Sequence, residues 1–398
     1  MFGDHPKDAE LKATWDAFCD KLKESSDLVF RDTTPASEID RAKGLRLLAR
    51  NISLGLQFNL DNCDADFPEI MHYFDPIRKQ GGDNTDAYYS GAPINGKNTY
   101  RVTGKRGTAR FFAITVLENG NTPWGGGVTG NLIDSDVLVD KEGNFEVTVS
   151  PEPDPGNRGN WIQTTPNAWR ITFRQFFADW ENEEPMKARI DRINELEHDP
   201  MLSAADVARG LGGAADWVRS STAYWAGMLD KWKTQPNTFL SYGQLEDNKI
   251  DFTPGGAPLI SYWFLPRDEA IVVRVRPPEA DYWAVEFGNY WWETMDYRNR
   301  LSNTNCHYAH MEDDGELILV IAHEDTGHPN WLDPSGHEEG YVTVRWIGAD
   351  HYPVPAATQM KLQDLDTYLP KGGKRLTRAE RKEQIAERRR GVLNRFGF

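Results

Sequence analysis

The sequence Ile-Thr-Phe-Arg at residues 171–174 corresponds to Val-Thr-Val-Arg at residues 342–345, 171 positions later. Ala-Arg-Phe-Phe-Ala at residues 109–113 corresponds to Ala-Asp-Tyr-Trp-Ala at residues 280–284, at the same offset. Two further pairs of short segments lie between these in the same order: residues 142–143 correspond to 314–315, at an offset of 172, and residues 160–161 correspond to 330–331, at an offset of 170. β-Branched and aromatic residues dominate the strand-like segments. The chain is therefore predicted to contain two copies of one β unit.

The repeat is too long for a solenoid, whose units span about 20–50 residues. A duplicated antiparallel sheet fits better, because two sheets can pack face to face and bury a joint core. Helical patterns flank the β stretches: Leu45, Leu48 and Ile52 recur at helical spacing. The predicted fold class is α+β, with duplicated antiparallel β-sandwich-like units and N-terminal, central and C-terminal helices.

These changes of pattern also predict the domain organisation. Ser203 with Asp206 and Thr377 with Glu380 have the spacing of capping residues that begin a helix. The predicted parts are an N-terminal helical unit at 1–82, a first β unit at 83–182, a helical insertion at 183–250, a second β unit at 251–370 and a basic C-terminal helix at 371–398.

Composition predicts a folded cytoplasmic protein. Hydrophobic residues make up 39% of the 398 residues, which is enough for a core. The mean hydropathy is −0.64, and no run approaches the ~18 apolar residues of a membrane helix. The first residues do not resemble a signal peptide, and the 3 cysteines are too few and too scattered for a disulfide framework. We expect no membrane partner.

Charge is distributed unevenly along the chain. The net charge is −16, yet residues 371–398 carry ten basic and three acidic residues, so the remaining body carries −23. An acidic body repels phosphate backbones, which argues against nucleic acid as a partner. The basic helix is expected to dock on the acidic body or to stay solvated. A homo-oligomer formed through the helices or this tail is an alternative.

The segment at residues 325–337, Asp-Thr-Gly-His-Pro-Asn-Trp-Leu-Asp-Pro-Ser-Gly-His, resembles a known family signature. It is similar to the motif Asp-Pro-Gly-x-Pro-Asn-Trp-Leu-Asp-x-x-Gly-His of the domain of unknown function 1214 family, which is chiefly bacterial. Thr326 departs from the proline usual there. Pro277-Pro278 followed by Tyr282-Trp283 also fits the family pattern. The resemblance implies a β-rich domain and no agreed reaction.

Some residues of this signature are predicted to be structural because both copies contain them. Asp-x-Gly followed by Asn-Trp occurs at residues 154–161 and again at 325–331. Asp and Asn can bond nearby backbone groups, Gly can adopt positive φ, and Trp can anchor the segment by burial. Arg174 and Arg345 occupy equivalent strand ends, where each is expected to pair with a turn carboxylate.

The unshared residues are the candidates for chemistry. His323, His328, Asp333 and His337 have no counterparts in the first copy. His337, oriented by Asp333 or Asp325, could act as a general acid and base, with His323 or His328 polarising the substrate. A purely structural role for the histidines is the alternative. No cofactor is predicted, although a divalent metal held by the histidines is conceivable without any recognised metal-binding spacing.

Aromatic residues beside this cluster supply a candidate substrate site. Trp291, Trp292 and Tyr297, with His307 nearby, could line a pocket for a small molecule. The alternative is plain core packing. The glycine-rich segment at residues 124–130 lacks a phosphate-loop pattern and is predicted to be a loop that covers a cleft.

The resulting functional hypothesis is an enzyme of the hydrolase, lyase or isomerase type. It would act by His/Asp acid–base chemistry on a small, largely apolar or cyclic metabolite. Two alternatives remain open at this point: a β-sandwich that binds or processes carbohydrate, and a non-catalytic assembly module.

Overall fold

The computed structural model describes residues 7–153, 159–196, 202–241, 254 and 256–397. The α-helices are α1 (Asp8–Ser25), α2 (Glu38–Leu56), α3 (Ala204–Trp232), α4 (Leu365–Tyr368) and α5 (Arg378–Phe396). The first nine strands are β1 (Met71–Phe74), β2 (Ala87–Pro93), β3 (Tyr100–Lys105), β4 (Phe111–Thr122), β5 (Gly125–Ile133), β6 (Asn144–Ser150), β7 (Asn160–Gln163), β8 (Ala168–Phe176) and β9 (Lys187–Arg192). The next nine are β10 (Leu240–Ser241), β11 (Gly256–Phe264), β12 (Glu269–Val275), β13 (Tyr282–Asn289), β14 (Asn303–Asn305), β15 (Leu317–Ala322), β16 (Trp331–Leu332), β17 (Glu339–Ile347) and β18 (Ala356–Lys361).

Two β units share one topology. The first has a large sheet in the order β1-β2-β8-β4-β5 and a small sheet in the order β7-β6-β3-β9. The second unit has the equivalent orders β10-β11-β17-β13-β14 and β16-β15-β12-β18. Most pairs are antiparallel, whereas β6–β7 and β15–β16 are parallel. The α+β fold with duplicated β-sandwich-like units, expected from the sequence offset, is confirmed.

Each unit encloses its own core between its two sheets. Alternate residues of β8, such as Ile171 and Phe173, enter the first core, and Val342 and Val344 of β17 enter the second. Because side chains alternate along a strand, the side chains of Arg174 and Arg345 lie on the outer faces of the sheets, away from these cores. Those outer faces are buried too, which is why both strands contain few exposed residues.

The two units meet through the outer faces of their large sheets. Phe111 and Phe176 of the first unit pack with Tyr282 and Ile347 of the second. The rings of Phe176 and Tyr282 stack with centroids 5.1 Å apart. The equivalent faces of the two copies therefore bury each other.

Helices cover the remaining outer surface of the second large sheet. Leu47 of α2 and Trp225 of α3 pack with Ile260 and Tyr341 in one cluster. Ser203 accepts a hydrogen bond from the backbone of Asp206 and completes the expected capping box of α3. No helix of the described part of the chain is long and apolar enough to cross a membrane.

The basic helix α5 docks on the acidic body of its own chain. Thr377 and Glu380 form its capping box, as the sequence predicted. Arg381, Arg388 and Arg395 point inward and are buried. Val392 packs with Trp180 in the same contact. The contact is therefore both apolar and ionic.

The start of the predicted helical insertion is wrong, because Lys187–Arg192 forms β9 and pairs with β3. Ile190 reaches the first core from this edge, so tertiary packing overrides a weak local preference. The predicted boundary between residues 250 and 251 and the turn at residues 154–156 lie outside the described residues.

Candidate functional site

The asparagine of the repeated Asn-Trp dipeptide makes equivalent hydrogen bonds in both copies. The Asn330 side chain bonds the backbone N–H and C=O of His310 and the C=O of Ile318, at 2.7–2.9 Å. The Asn160 side chain bonds the N–H and C=O of Leu138 and the C=O of Glu146 at the same distances. Both asparagines therefore fasten a parallel edge strand to the neighbouring loop.

Neither turn carboxylate orients His337. Asp325 accepts two hydrogen bonds from the Arg381 guanidinium of α5, at 2.9 and 3.0 Å. Asp333 accepts one from Arg300 at 2.6 Å. The expected pairing of His337 with either aspartate is not observed, because each is engaged with an arginine. Arg345 pairs with Glu286 of strand β13, at 3.3 Å.

The other histidines of the predicted cluster are dispersed. His323 Nε2 lies 3.1 Å from the carbonyl oxygen of Leu265. His307 is half exposed, with Nε2 3.9 Å from a carboxylate oxygen of Asp179 in the first unit. His328 is buried, and its Nδ1 accepts a hydrogen bond from the Asn330 backbone. Among the residues that the structure describes, no three His, Cys, Asp or Glu side chains come together as metal ligands.

Burial lowers the pKa of His328 to about 3, so its imidazole is neutral in the folded chain. The unfolded chain binds a proton below the ordinary pKa of about 6.5, and stability is therefore lost as the pH falls from there towards 3. We expect the loss to be about 1.4 kcal/mol per pH unit. His328→Asn, whose Oδ1 can replace Nδ1 as acceptor, should remove this contribution in urea unfolding measured from pH 7 to pH 4. His351→Asn, at an exposed site, is the control; equal slopes in all three proteins would contradict the assignment.

His337 is fully buried and pairs with a residue from the other end of the chain. Its Nδ1 lies 2.6 Å from Oδ1 of Asp40, in the first turn of α2. Ser37 caps α2 by accepting a hydrogen bond from the Asp40 backbone, and its hydroxyl donates to the other carboxylate oxygen. A proton on Nδ1 leaves the Nε2 lone pair free to accept. Nε2 has no hydrogen-bond partner among the described residues.

The predicted aromatic residues are buried packing groups, and Trp291 and Trp292 pack in one cluster with α2. The Trp291 indole donates to the backbone oxygen of Asp40 at 2.7 Å. Trp292 stacks on Tyr341 with centroids 4.6 Å apart and has a positive φ of 57°, which is strained for a bulky residue. Tyr297 is 3% exposed and lies 4.2 Å from the Lys79 ammonium. Of the predicted site residues, His337 and Trp291 meet at Asp40.

A buried ionic cluster, consisting of Arg50, Lys79, Asp83 and Glu293, lies against the same helix. Arg50 of α2 forms an ion pair with Glu293. Lys79 donates to the carbonyl and hydroxyl oxygens of Thr294, at 3.0 and 3.1 Å. Asp83 accepts from the Thr294 hydroxyl at 2.8 Å. Of residues 79–86, all except the partly exposed Gly81 are buried.

Burial gives this cluster unusual protonation equilibria. It lowers the pKa of Lys79 to about 7, against the attraction of Asp83. It raises the pKa of Asp83 to about 6, against the attraction of Lys79. Both groups can therefore exchange protons near neutral pH. The sequence offered no signal for this cluster, and only the Ser37-x-x-Asp40 spacing of a helix start hinted at Asp40.

Comparison with known proteins identifies relatives and no activity. The family described as a protein of unknown function (DUF1214) matches residues 84–179, in the first β unit. A crystal structure of an uncharacterised Burkholderia cenocepacia protein has 30% identity and a TM-score of 0.84, and covers 89% of this chain and 99% of that one. The VPA0106 protein of Vibrio parahaemolyticus has 10% identity and a TM-score of 0.44, with 84% and 100% covered. No curated protein matches. The chain belongs to the DUF1214 family.

Proposed function

We propose that the chain is an enzyme that acts by acid–base chemistry on a small, largely apolar or cyclic substrate. The observation that carries the proposal is the His337–Asp40 pair. A carboxylate 2.6 Å from Nδ1 holds the imidazole in one orientation, and the unpartnered Nε2 is then available to remove a proton from a substrate or a water. Hydrolase, lyase and isomerase reactions all use such a step.

Enclosure restricts the substrate that this site could take. His337 is 0% exposed, so a substrate reaches Nε2 only if the structure opens. The adjoining turn has positive φ at Ser335 (56°) and Gly336 (88°) and begins at Asp333, which is buried and pairs with the half-exposed Arg300. We propose that this turn moves. A neutral, apolar molecule loses less hydration on entry than an ion does, which favours that substrate class.

The ionic cluster supports the same class of chemistry. Lys79, with a pKa of about 7, and Asp83, with a pKa of about 6, can each hold or release a proton at neutral pH. Shifted values of this kind are frequent at functional sites, although structural ion pairs also produce them. A bacterial source for the chain is supported by its Burkholderia relative. The cytoplasmic location proposed with it rests on composition.

The test is turnover by the full chain of a panel of small lactones, esters and cyclic ketones, followed by proton NMR. We expect His337→Gln to lower the rate on any converted compound by about 10²–10⁴-fold. Asp40→Asn should be similarly damaging, because the imidazole would lose its fixed tautomer. Asp350→Asn, which breaks the exposed pair with His351, is the matched control and should retain the wild-type rate within a few-fold.

Nitrogen NMR of the imidazole supplies a readout that needs no substrate. It should show the proton on Nδ1 and an acceptor Nε2. Two results would assign His337 to the scaffold: a proton on Nε2, or loss of most of the folding stability in His337→Gln with no compound of the panel converted by the wild type.

A further inference from the structure

Arg170, on β8, is a buried cation that has no counter-ion among the described residues. Its side chain is 0% exposed. Nη2 donates to the side-chain oxygen of Asn62 at 2.9 Å, and Nε and Nη1 have no acceptor. Buried guanidinium groups are normally paired, because an unmatched charge and unmatched donors are both costly in a low-dielectric interior. Two vacant donors on a buried guanidinium therefore call for an oxyanion.

Aromatic rings surround this guanidinium. Its central carbon lies 4.6 Å from the ring centroid of Phe58, 5.7 Å from that of Trp169 and 5.8 Å from that of Tyr73. Contact with ring faces offsets part of the desolvation cost and leaves the N–H donors unsatisfied. The indole Nε1 of Trp169 is a further buried donor without a partner. Apolar walls with a few convergent donors are typical of small-ligand sites.

The glycine-rich segment, which the sequence predicted to be a loop, instead forms the turn of the β4–β5 hairpin and the start of β5, and its Trp124 packs against this cage. Trp124, between β4 and β5, is partly exposed and lies 5.4 Å from Phe58 and 5.8 Å from Tyr73, measured between ring centroids. Gly125 and Gly127 have positive φ values of 96° and 122°. A Cβ at Gly125 would come within 2.9 Å of Trp169 Nε1. The hairpin thus reaches the Trp169 indole only because glycine stands there.

Residues 57–61, directly before Asn62, form a π-helical turn that continues α2. Such turns are rare and occur frequently at functional sites. This turn brings the Phe58 ring onto the guanidinium and is followed by Asn62, which contacts it. Three elements contribute side chains beside the Arg170 guanidinium: the end of α2 with Phe58 and Asn62, strand β1 with Tyr73, and strand β8 with Trp169.

We propose that Arg170 is the anion-binding group of a ligand site for a small aromatic or cyclic carboxylate. The carboxylate would accept from the vacant guanidinium donors, and the ring would pack against the aromatic residues of the cage. An inorganic anion would satisfy the charge but would leave the apolar walls unused. The site lies in the first β unit and shares no residue with the His337–Asp40 pair, so it goes beyond the proposed function.

The test is calorimetric titration of the full chain with benzoate and with cyclohexanecarboxylate. We expect a dissociation constant of about 1 mM or tighter, which is reasonable for so few ligand atoms. Arg170→Met should weaken binding at least about tenfold, since hydrogen bonds to a charged group are lost. Arg189→Met, the same change at an exposed strand arginine of this unit, is the matched control and should bind as the wild type does.

Four outcomes would overturn the proposal. They are the absence of binding in the wild type, unchanged binding in Arg170→Met, equal affinity for benzamide, and equal affinity for phosphate. Arg170→Met should fold, because it replaces an unpaired buried charge by an apolar group of similar length. If it does not fold, the NMR signal of the Arg170 Nε–H decides: it should shift with added benzoate in the wild type, and an unmoved signal contradicts the site.

Discussion

Replacing Glu293 by alanine is expected to remove about 3–5 kcal/mol from the free energy of unfolding, because it leaves a buried cation without its partner. The Glu293 side chain is 1% exposed and the Arg50 side chain 9%, and together they join α2 to the second β unit. Glu293 also attracts the partly buried Lys43 and the fully buried Lys79. In the alanine variant, Arg50, Lys43 and Lys79 would therefore all lose the carboxylate that attracts them. Equilibrium unfolding in urea gives the magnitude.

A double variant distinguishes the net contribution of this ion pair to the free energy of unfolding from the destabilisation caused by removing only one partner. Arg50→Met combined with Glu293→Leu should recover most of the lost stability, since apolar groups of similar size often replace a buried pair without loss. Asp16→Ala, which breaks the exposed pair with Lys12, should cost less than about 1 kcal/mol. If the double variant is as unstable as Glu293→Ala alone, charge imbalance does not explain the effect.

The duplicated sheets could be predicted because strand formation and core membership follow from local alternation. Ile171 and Phe173 in one copy, and Val342 and Val344 in the other, occupy matching positions and enter matching cores. The turn residues Asn160 and Asn330 could also be predicted as structural. Their bonds are made to backbone groups that the same unit always supplies.

The candidate site could be predicted only in part, because its pairings depend on how distant elements pack. His337 has Asp333 four residues before it, yet its partner Asp40 is 297 residues away. Arg300 already engages Asp333, so the nearer carboxylate is not available. No local pattern encodes such a choice, since it is made when α2 docks on the second unit. The buried polar residues 79–86 were missed for the same reason.

Asp86 within this segment is expected to be the most damaging single site for the joint between the two units. It is 0% exposed and accepts hydrogen bonds from four side chains, all at 2.6–3.1 Å: those of Tyr282, Trp180, Asn303 and Asn305. Asp86→Ala leaves these donors unsatisfied at about 1–3 kcal/mol each. We expect a total loss above about 4 kcal/mol in urea unfolding, with an allowance for non-additivity.

The charge of Asp86 should matter beyond these hydrogen bonds, because it attracts the buried Arg388 and Arg395 of α5. Asp86→Asn keeps the size of the side chain but removes that attraction and replaces one of the two accepting oxygens by an NH2 donor. Because the other oxygen still accepts, the stability of this variant should fall between those of wild type and Asp86→Ala. Hydrogen exchange of residues 378–396 should quicken in both variants, since α5 would lose the anion that its arginines approach. Asp350→Ala, at an exposed carboxylate, is the control and should change stability by less than about 0.5 kcal/mol. If Asp86→Asn exchanges as slowly as wild type, α5 is held by its apolar contacts with Trp180, and the charge of Asp86 serves only the joint between the sheets.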